Sequence, residues 1–302
     1  MNIEFSDEAT EYGHQASRAF EAAGGDALVQ RAQADPTIRG PLIAPILNEL
    51  GALDLEPRSD ADQLEATAAL CRSAGYWALP YPVAERLCRP TDLDVDGLVV
   101  VAQRPQAAIG GLHERWGAVT LDGARSLATP KAAGIAFVAD LDLQPVDPDG
   151  TKDLALALML PVWTLLGMLD RALDLTIAHV NIRKQFGQAL SGFQSVQFQL
   201  TDAEVERSGL EMLARHTLWS VAACREAALD DALALRMAAL EAAEVVFRVT
   251  HQLHGASGFC DETTLSWLSR YSQPLRRLPL GLSATRDLLT RRIGSAGLAA
   301  LS

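Results

Sequence analysis

Arg171-Ala-Leu-Asp-Leu-Thr-Ile-Ala-His-Val-Asn-Ile-Arg183-Lys-Gln-Phe186-Gly187-Gln-Ala-Leu-Ser-Gly-Phe193-Gln194-Ser-Val-Gln197 is the stretch on which the fold turns. Its first half closes a long apolar run. Arg183 and Lys184 stand where cations suit the C-terminal end of a helix dipole. Phe186-Gly187 then turns the chain, and a second helix is expected to begin near Gly192. The residues alone describe a helix hairpin with a basic tip, which an ordinary helix cap explains.

Working outward, the run Leu154 to Leu169 is strongly apolar but shorter than the ~20 residues of a membrane span, so it reads as a buried helix. Downstream, Leu233, Met237, Leu240 and Phe247 fall on one helix face, interrupted by Glu244, and Gly255 is placed to end that helix. Long helices with few breaks between them predict an antiparallel bundle. Upstream, Ser6 before Asp7 and Glu8 reads as an N-cap, and the stretches around Leu47–Leu50–Leu53 and from Asp62 to Ala74 read as short helices. Pro80 and Pro82 break that pattern. Between them and the bundle lie three β-rich runs, Leu98–Val101, Ala118–Leu121 and Ile135–Val138, with Gly and Asp turns between. The expected division is a helical region 1–91, a small β-region 92–152 and a helical bundle 153–302.

The chain has 302 residues, 49% hydrophobic and only 6% aromatic, a composition that favours helix. A net charge of −12 disfavours a nucleic-acid backbone as partner. Six arginines between Arg270 and Arg292 read as a solvated basic face or an interface. The cysteines, Cys71, Cys88, Cys224 and Cys260, form no zinc pattern and read as buried free thiols of a reducing cytosol. The acidic N-terminus lacks the pattern of a signal peptide, so a cytoplasmic location without membrane contact is expected. His251 and His254 have no third ligand at matching spacing, so no metal site is expected. Glu262 reads as a helix-start acid, and Cys260 carries no mark of an activated nucleophile.

Arg183-Lys-Gln-Phe186-Gly187, followed by Phe193-Gln194-Ser-Val-Gln197, resembles the R-x-x-F-G and Q-x-x-Q signature of the acyl-CoA dehydrogenase family. Gln252-Leu-His254-Gly255-Ala-Ser-Gly258-Phe259 resembles that family's Q-x-x-G-G-x-G turn. The resemblance implies an N-terminal helical domain, a middle β-domain and a C-terminal four-helix bundle. It also implies FAD at a subunit interface. Arg183, Phe186, Phe193, Gln194, Gln252 and Gly255 match the positions that reach the diphosphate and adenosine of a neighbour's FAD. A guanidinium suits diphosphate oxygens, and a glycine admits close backbone approach.

The departures from the family are as informative. Family members remove the substrate α-proton with a glutamate, which must lie within hydrogen-bond reach of that proton. One family position for it, counted from Gly258, falls on Pro279, or on Leu280 if Gly281 is aligned. The other, counted back from Arg183, falls on Ala157, beside Leu158 where an arginine is common. The middle region lacks the family's flavin-holding loop, and Gly117 follows Trp116 where a β-branched contact is expected. No catalytic residue is therefore expected in this chain. The resemblance is to the smaller, degenerate subunit of an actinobacterial α2β2 enzyme of steroid or cholesterol breakdown. A complete partner would hold the base, and this chain would supply the FAD diphosphate contacts. The alternatives are a self-sufficient homodimer with a relocated acid such as Glu262, or a structural subunit without flavin.

Overall fold

The computed structural model describes residues 4–147 and 149–296. Pro148 of the expected Asp147–Gly150 turn and the tail beyond residue 296 lie outside them. The chain opens with helices α1 (Asp7–Ala22), α2 (Asp26–Ala34), α3 (Arg39–Glu49), α4 (Ala61–Tyr76) and α5 (Val83–Leu87). Ser6 caps α1, its Oγ accepting the Ala9 N–H at 3.3 Å. Asp60 caps α4 in the same way, accepting from Gln63 N–H at 2.8 Å.

A five-stranded sheet follows, with β1 (Gly97–Val101), β2 (Gln106–Ala107), β3 (Trp116–Thr120), β4 (Arg125–Pro130) and β5 (Ala139–Val146) in the order β1-β3-β4-β5-β2. β1 pairs with β3 in parallel, and the other neighbours are antiparallel. Two of the three expected runs are the strands β1 and β3. The third is not a strand: Ile135–Phe137 forms a tight helical turn, with Ala136 and Phe137 at φ 52° and 61°. Tertiary packing wins there, because Phe137 is buried with the Arg39 guanidinium 3.9 Å above its ring. β4 and β5 escaped the sequence because half their residues face solvent.

The rest of the chain is helical: α6 (Leu154–Ile182), a hairpin of β6 (Lys184–Gln185) and β7 (Gln188–Ala189), α7 (Gln194–Ala222), α8 (Ala228–His254), α9 (Thr264–Tyr271), α10 (Gln273–Arg277) and α11 (Leu282–Ala296). The second helix of the hairpin thus starts just after the expected Gly192. α6 is apolar around much of its girth because it is enclosed, by α4 on one side and by α7 and α8 on others. The segment Thr151–Ile182 is long and apolar enough to cross a membrane, but 78% of its most apolar window is buried inside the protein.

Glycine permits the α4–α6 crossing. A Cβ on Gly75 would stand 1.8 Å from the Thr164 carbonyl oxygen, and one on Gly167 would stand 1.8 Å from that of Arg72. Beside the crossing, Arg72 bridges to Asp170 at 2.7 Å and Glu211 at 3.0 Å, and Arg207 and Arg215 each reach Glu211 at 2.7 Å. Burial pushes the Glu211 carboxyl up, but Arg72 and Arg215 outweigh it and hold it at about 2. Its folded value is depressed, so its stabilisation is complete above the ordinary value of 4.5 and lost as pH falls toward 2. Thermal melts should show the wild type losing its advantage over Glu211→Gln across that window. An advantage unchanged from pH 6 to pH 3 would contradict the assignment.

Two further expectations change. Cys71 and Cys88 are buried, with thiols pushed up by desolvation, but Cys224 and Cys260 are exposed. The Arg270–Arg292 segment is not a free basic face. Arg270 pairs with Asp261, Arg286 with Glu241 at 2.7 Å and Arg292 with Asp230, while Arg276 lies over the Phe247 ring.

Candidate functional site

Two places carry the chemistry. The first is the end of the bundle where α6 and α8 stop. His179 and His254 stack there with ring centroids 4.3 Å apart. Arg183 and Gly255, which cap these two helices, therefore sit at the same end. The two motifs, far apart in sequence, meet here. Burial first, then His254 and Arg183, push His179 down, and burial likewise lowers His254. The stacked pair is therefore neutral at pH 7, which leaves Arg183 and Lys184 as the local positive charge.

The hairpin between β6 and β7 turns through Phe186 at φ 50° and Gly187 at φ 85°, the left-handed pair of a tight two-residue turn. A phenylalanine in that region is strained. Yet its ring is 93% exposed, touching only the Phe193 ring edge-on at 6.3 Å. Arg183, Gln194 and Gln252 are also exposed, and Phe193 is half-buried. Gln252 and Gly255 border a shallow groove with Arg248 and Arg276. Below the hairpin, Phe198, Val205 and Met212 expose an apolar stripe along α7, one residue every two turns. Of the six expected contact residues, five are exposed and Phe193 is half-buried, and Arg183 and Gly255 share one end of the bundle.

The second place is internal. A cavity of about 110 Å³ lies where the helices, sheet and bundle meet. Ala157, Leu158 and Pro279 all border it. Two counts from separate motifs therefore converge on one cavity, and both land on groups that hold no proton. Leu280 lines the adjoining cleft between the sheet and α11, which shares Leu278 and Pro279 with the cavity. Glu262, the suggested relocated acid, is exposed in the turn before α9 and borders neither space.

Sequence reading missed the ionisable groups of the cavity wall: Arg39, Glu85 and Arg236. Burial pushes the Glu85 carboxyl above the usual carboxylate range, opposed by its own backbone N–H and by the field of Arg39. Arg39 is 2% exposed and donates to the carbonyls of Pro80 at 2.9 Å, Gly110 at 2.5 Å and Ala108 at 3.0 Å. A single arginine inside the Ala- and Leu-rich run of α8 was the one available signal for Arg236. Among the described residues, His, Cys, Asp and Glu form no group able to hold a metal ion. His251 stacks on Phe259 instead, at 4.4 Å.

Residues 154–280 match the sequence profile of a family described as "Acyl-CoA dehydrogenase, C-terminal domain". Acyl-CoA dehydrogenase FadE28 of Mycobacterium tuberculosis is 32% identical over 185 residues, which cover 57% of this chain and 53% of that protein. The chain thus spans about half the length of this curated relative. Among solved structures, the ChsE4-ChsE5 complex from Mycobacterium tuberculosis superposes with a TM-score of 0.76 at 15% identity, covering 97% of this chain and 99% of the other. A steroid ACAD variant, Tcur3481-Tcur3483, gives a TM-score of 0.72 at 19% identity, covering 96% and 99%. These identities speak for the fold alone. The hairpin and glycine-turn motifs, the helix–sheet–bundle order and the profile match agree: this chain has the acyl-CoA dehydrogenase fold, and its residues 154–280 match the profile of that family's C-terminal domain.

Proposed function

We propose that this chain is the non-catalytic subunit of a heteromeric, FAD-dependent acyl-CoA dehydrogenase acting in the cytoplasm. Bound FAD supplies hydride acceptance in α,β-dehydrogenation of a CoA thioester. The observation that supports the reading is the cavity: Ala157 and Pro279, two positions counted for the base, open on it, and Leu280, the alternative to Pro279, lines the adjoining cleft; all three are apolar. A complete partner subunit would provide the glutamate. Arg183 would pair with diphosphate oxygens of the partner's FAD, with Phe186, Phe193 and Gln194 beside it and Gln252 and Gly255 at the adenosine end. The exposed rings and the α7 stripe would be covered in the same assembly, an α2β2 tetramer. The structural neighbours include a two-protein complex and a steroid ACAD variant, which favours a steroid-derived acyl group. The domain division 1–91, 92–152 and 153–302 belongs to the same proposal.

The experiment is co-purification with an encoded full-length acyl-CoA dehydrogenase. The complex should be yellow and active. Arg183→Ala should lower its flavin content several-fold without dissolving the fold, because Arg183 makes no ion pair among the described residues. Unchanged flavin content would remove the contact. The self-sufficient alternative now rests on Glu85, the one carboxyl on the cavity wall, in place of Glu262. If the lone chain is yellow and oxidises an acyl-CoA, and Glu85→Gln stops it, that alternative replaces the first.

A further inference from the structure

The cavity wall beside the lost base carries a buried cation. Arg236 of α8 lines the cavity and is 4% exposed. Its guanidinium donates to the carbonyls of Leu275 at 3.3 Å, Leu278 at 2.6 Å and Leu280 at 2.7 Å, which flank Pro279. All three acceptors are neutral, and Nε has no hydrogen-bond partner. Among the described residues no carboxylate comes within the 4.0 Å of an ion pair with it. Burial alone pulls its pKa down, to about 10, so it stays charged at neutral pH. A charge held only by neutral dipoles in a low-dielectric interior still projects a strong field.

The rest of the wall does not cancel that field. Arg39 borders the same cavity, and its own charge faces Glu85 and Glu114. Among the described residues Glu85, raised by burial, is the only carboxyl lining the space. Two guanidiniums therefore line it with one reluctant acid, and Glu114 offsets the charge of Arg39, not that of Arg236. Between these groups the wall is apolar, formed by Ala157, Leu158, Pro161 and Met168 of α6. A glutamate at position 157 or 279 would have supplied a negative charge beside Arg236. With alanine and proline there, neither position places a carboxylate on the cavity wall.

We infer that this cavity binds a free aliphatic carboxylate, with the carboxylate group drawn to Arg236 and the chain laid against α6. The ligand's carboxylate takes the place of the enzyme's missing one, and no bond is made or broken. The site belongs wholly to this chain and does not depend on the heteromeric reading.

The test is calorimetric titration of the purified chain with hexanoate and with its neutral isostere, hexanamide. Hexanoate should bind about tenfold more tightly or better, because hydrogen bonds to charged groups exceed those to neutral ones. Arg236→Gln should erase the preference. Ala157→Glu, which places a carboxylate on the wall without touching the Arg236 contacts, should erase it too. Equal affinities for the two probes, or no binding of either, in the parent chain would overturn the inference. So would a preference that survives Ala157→Glu. Flavin content of the complex is a separate readout, so failure here leaves the subunit reading standing.

Discussion

Gly167→Ala should melt below the wild type by ~5 °C or more, or fail to accumulate as soluble protein. A Cβ there would stand 1.8 Å from the Arg72 carbonyl oxygen and 2.8 Å from the Tyr76 backbone nitrogen. Both obstacles are backbone, so no rotamer relieves them. The α4–α6 crossing must open, which loses buried area on both helices. Overpacking typically costs 1–3 kcal/mol, and a backbone clash this close belongs at or above the top, about 3 kcal/mol. At roughly 1.6 °C per kcal/mol for a chain of this size, the shift follows. Gly75→Ala should behave alike, since its Cβ would meet Thr164 at the same 1.8 Å. Gly209→Ala on α7 is the control: nothing lies within 4 Å of its Cβ, so the change should be neutral or mildly stabilising. A Gly167→Ala melt matching that of Gly209→Ala would show that the helices do not cross this closely. The crossing also matters to the site, because Thr164 and Met168 beside it border the cavity.

Asp153→Ala should destabilise the chain by about 3–5 kcal/mol in denaturant titration, the range for breaking a buried ion pair from one side. Asp153 precedes α6 and is 1% exposed, and its carboxylate meets Arg125 of β4, whose side chain is 0% exposed. Arg58 reaches the same carboxylate at 2.9 Å. The residue ties the N-terminal helices, the sheet and the bundle at one point. Without it Arg125 keeps only Asp92, at 3.0 Å and half in solvent, so a buried guanidinium is left short of charge. Asp94→Ala is the comparison. Asp94 pairs with Arg115 in open solvent, and its loss should not measurably shift the midpoint. Equal effects of the two substitutions would mean that the buried pair contributes no more than a surface one.

Much of the layout was legible because it is local. Helix length, caps and the turn at Phe186-Gly187 depend on residues a few positions apart, so Ser6, Gly255 and the apolar run of α6 announced themselves. The two motifs were legible as short patterns with fixed spacing, and counting from them reached Ala157 and Pro279. The misreadings have equally physical causes. Ile135–Phe137 has strand-like composition, but the burial of Phe137 under Arg39 overrode it. Residue type alone places Cys224 and Cys260 inside, yet both are exposed.

By itself, then, the sequence determined the order of helices, sheet and bundle, and the two motifs from which Ala157 and Pro279 are counted. Only the tertiary structure decided that those two positions share one cavity, and that Arg183 and Gly255 meet at one end of the bundle. It alone placed Glu85, Arg39 and Arg236 on that cavity's wall. Proximity between residues far apart along the chain is created by packing, at glycine crossings and buried ion pairs that leave no periodic trace in the sequence. An arginine in an apolar helix reads as an isolated charge until the fold shows that its hydrogen bonds go to carbonyl oxygens and that, among the described residues, no acid pairs with it.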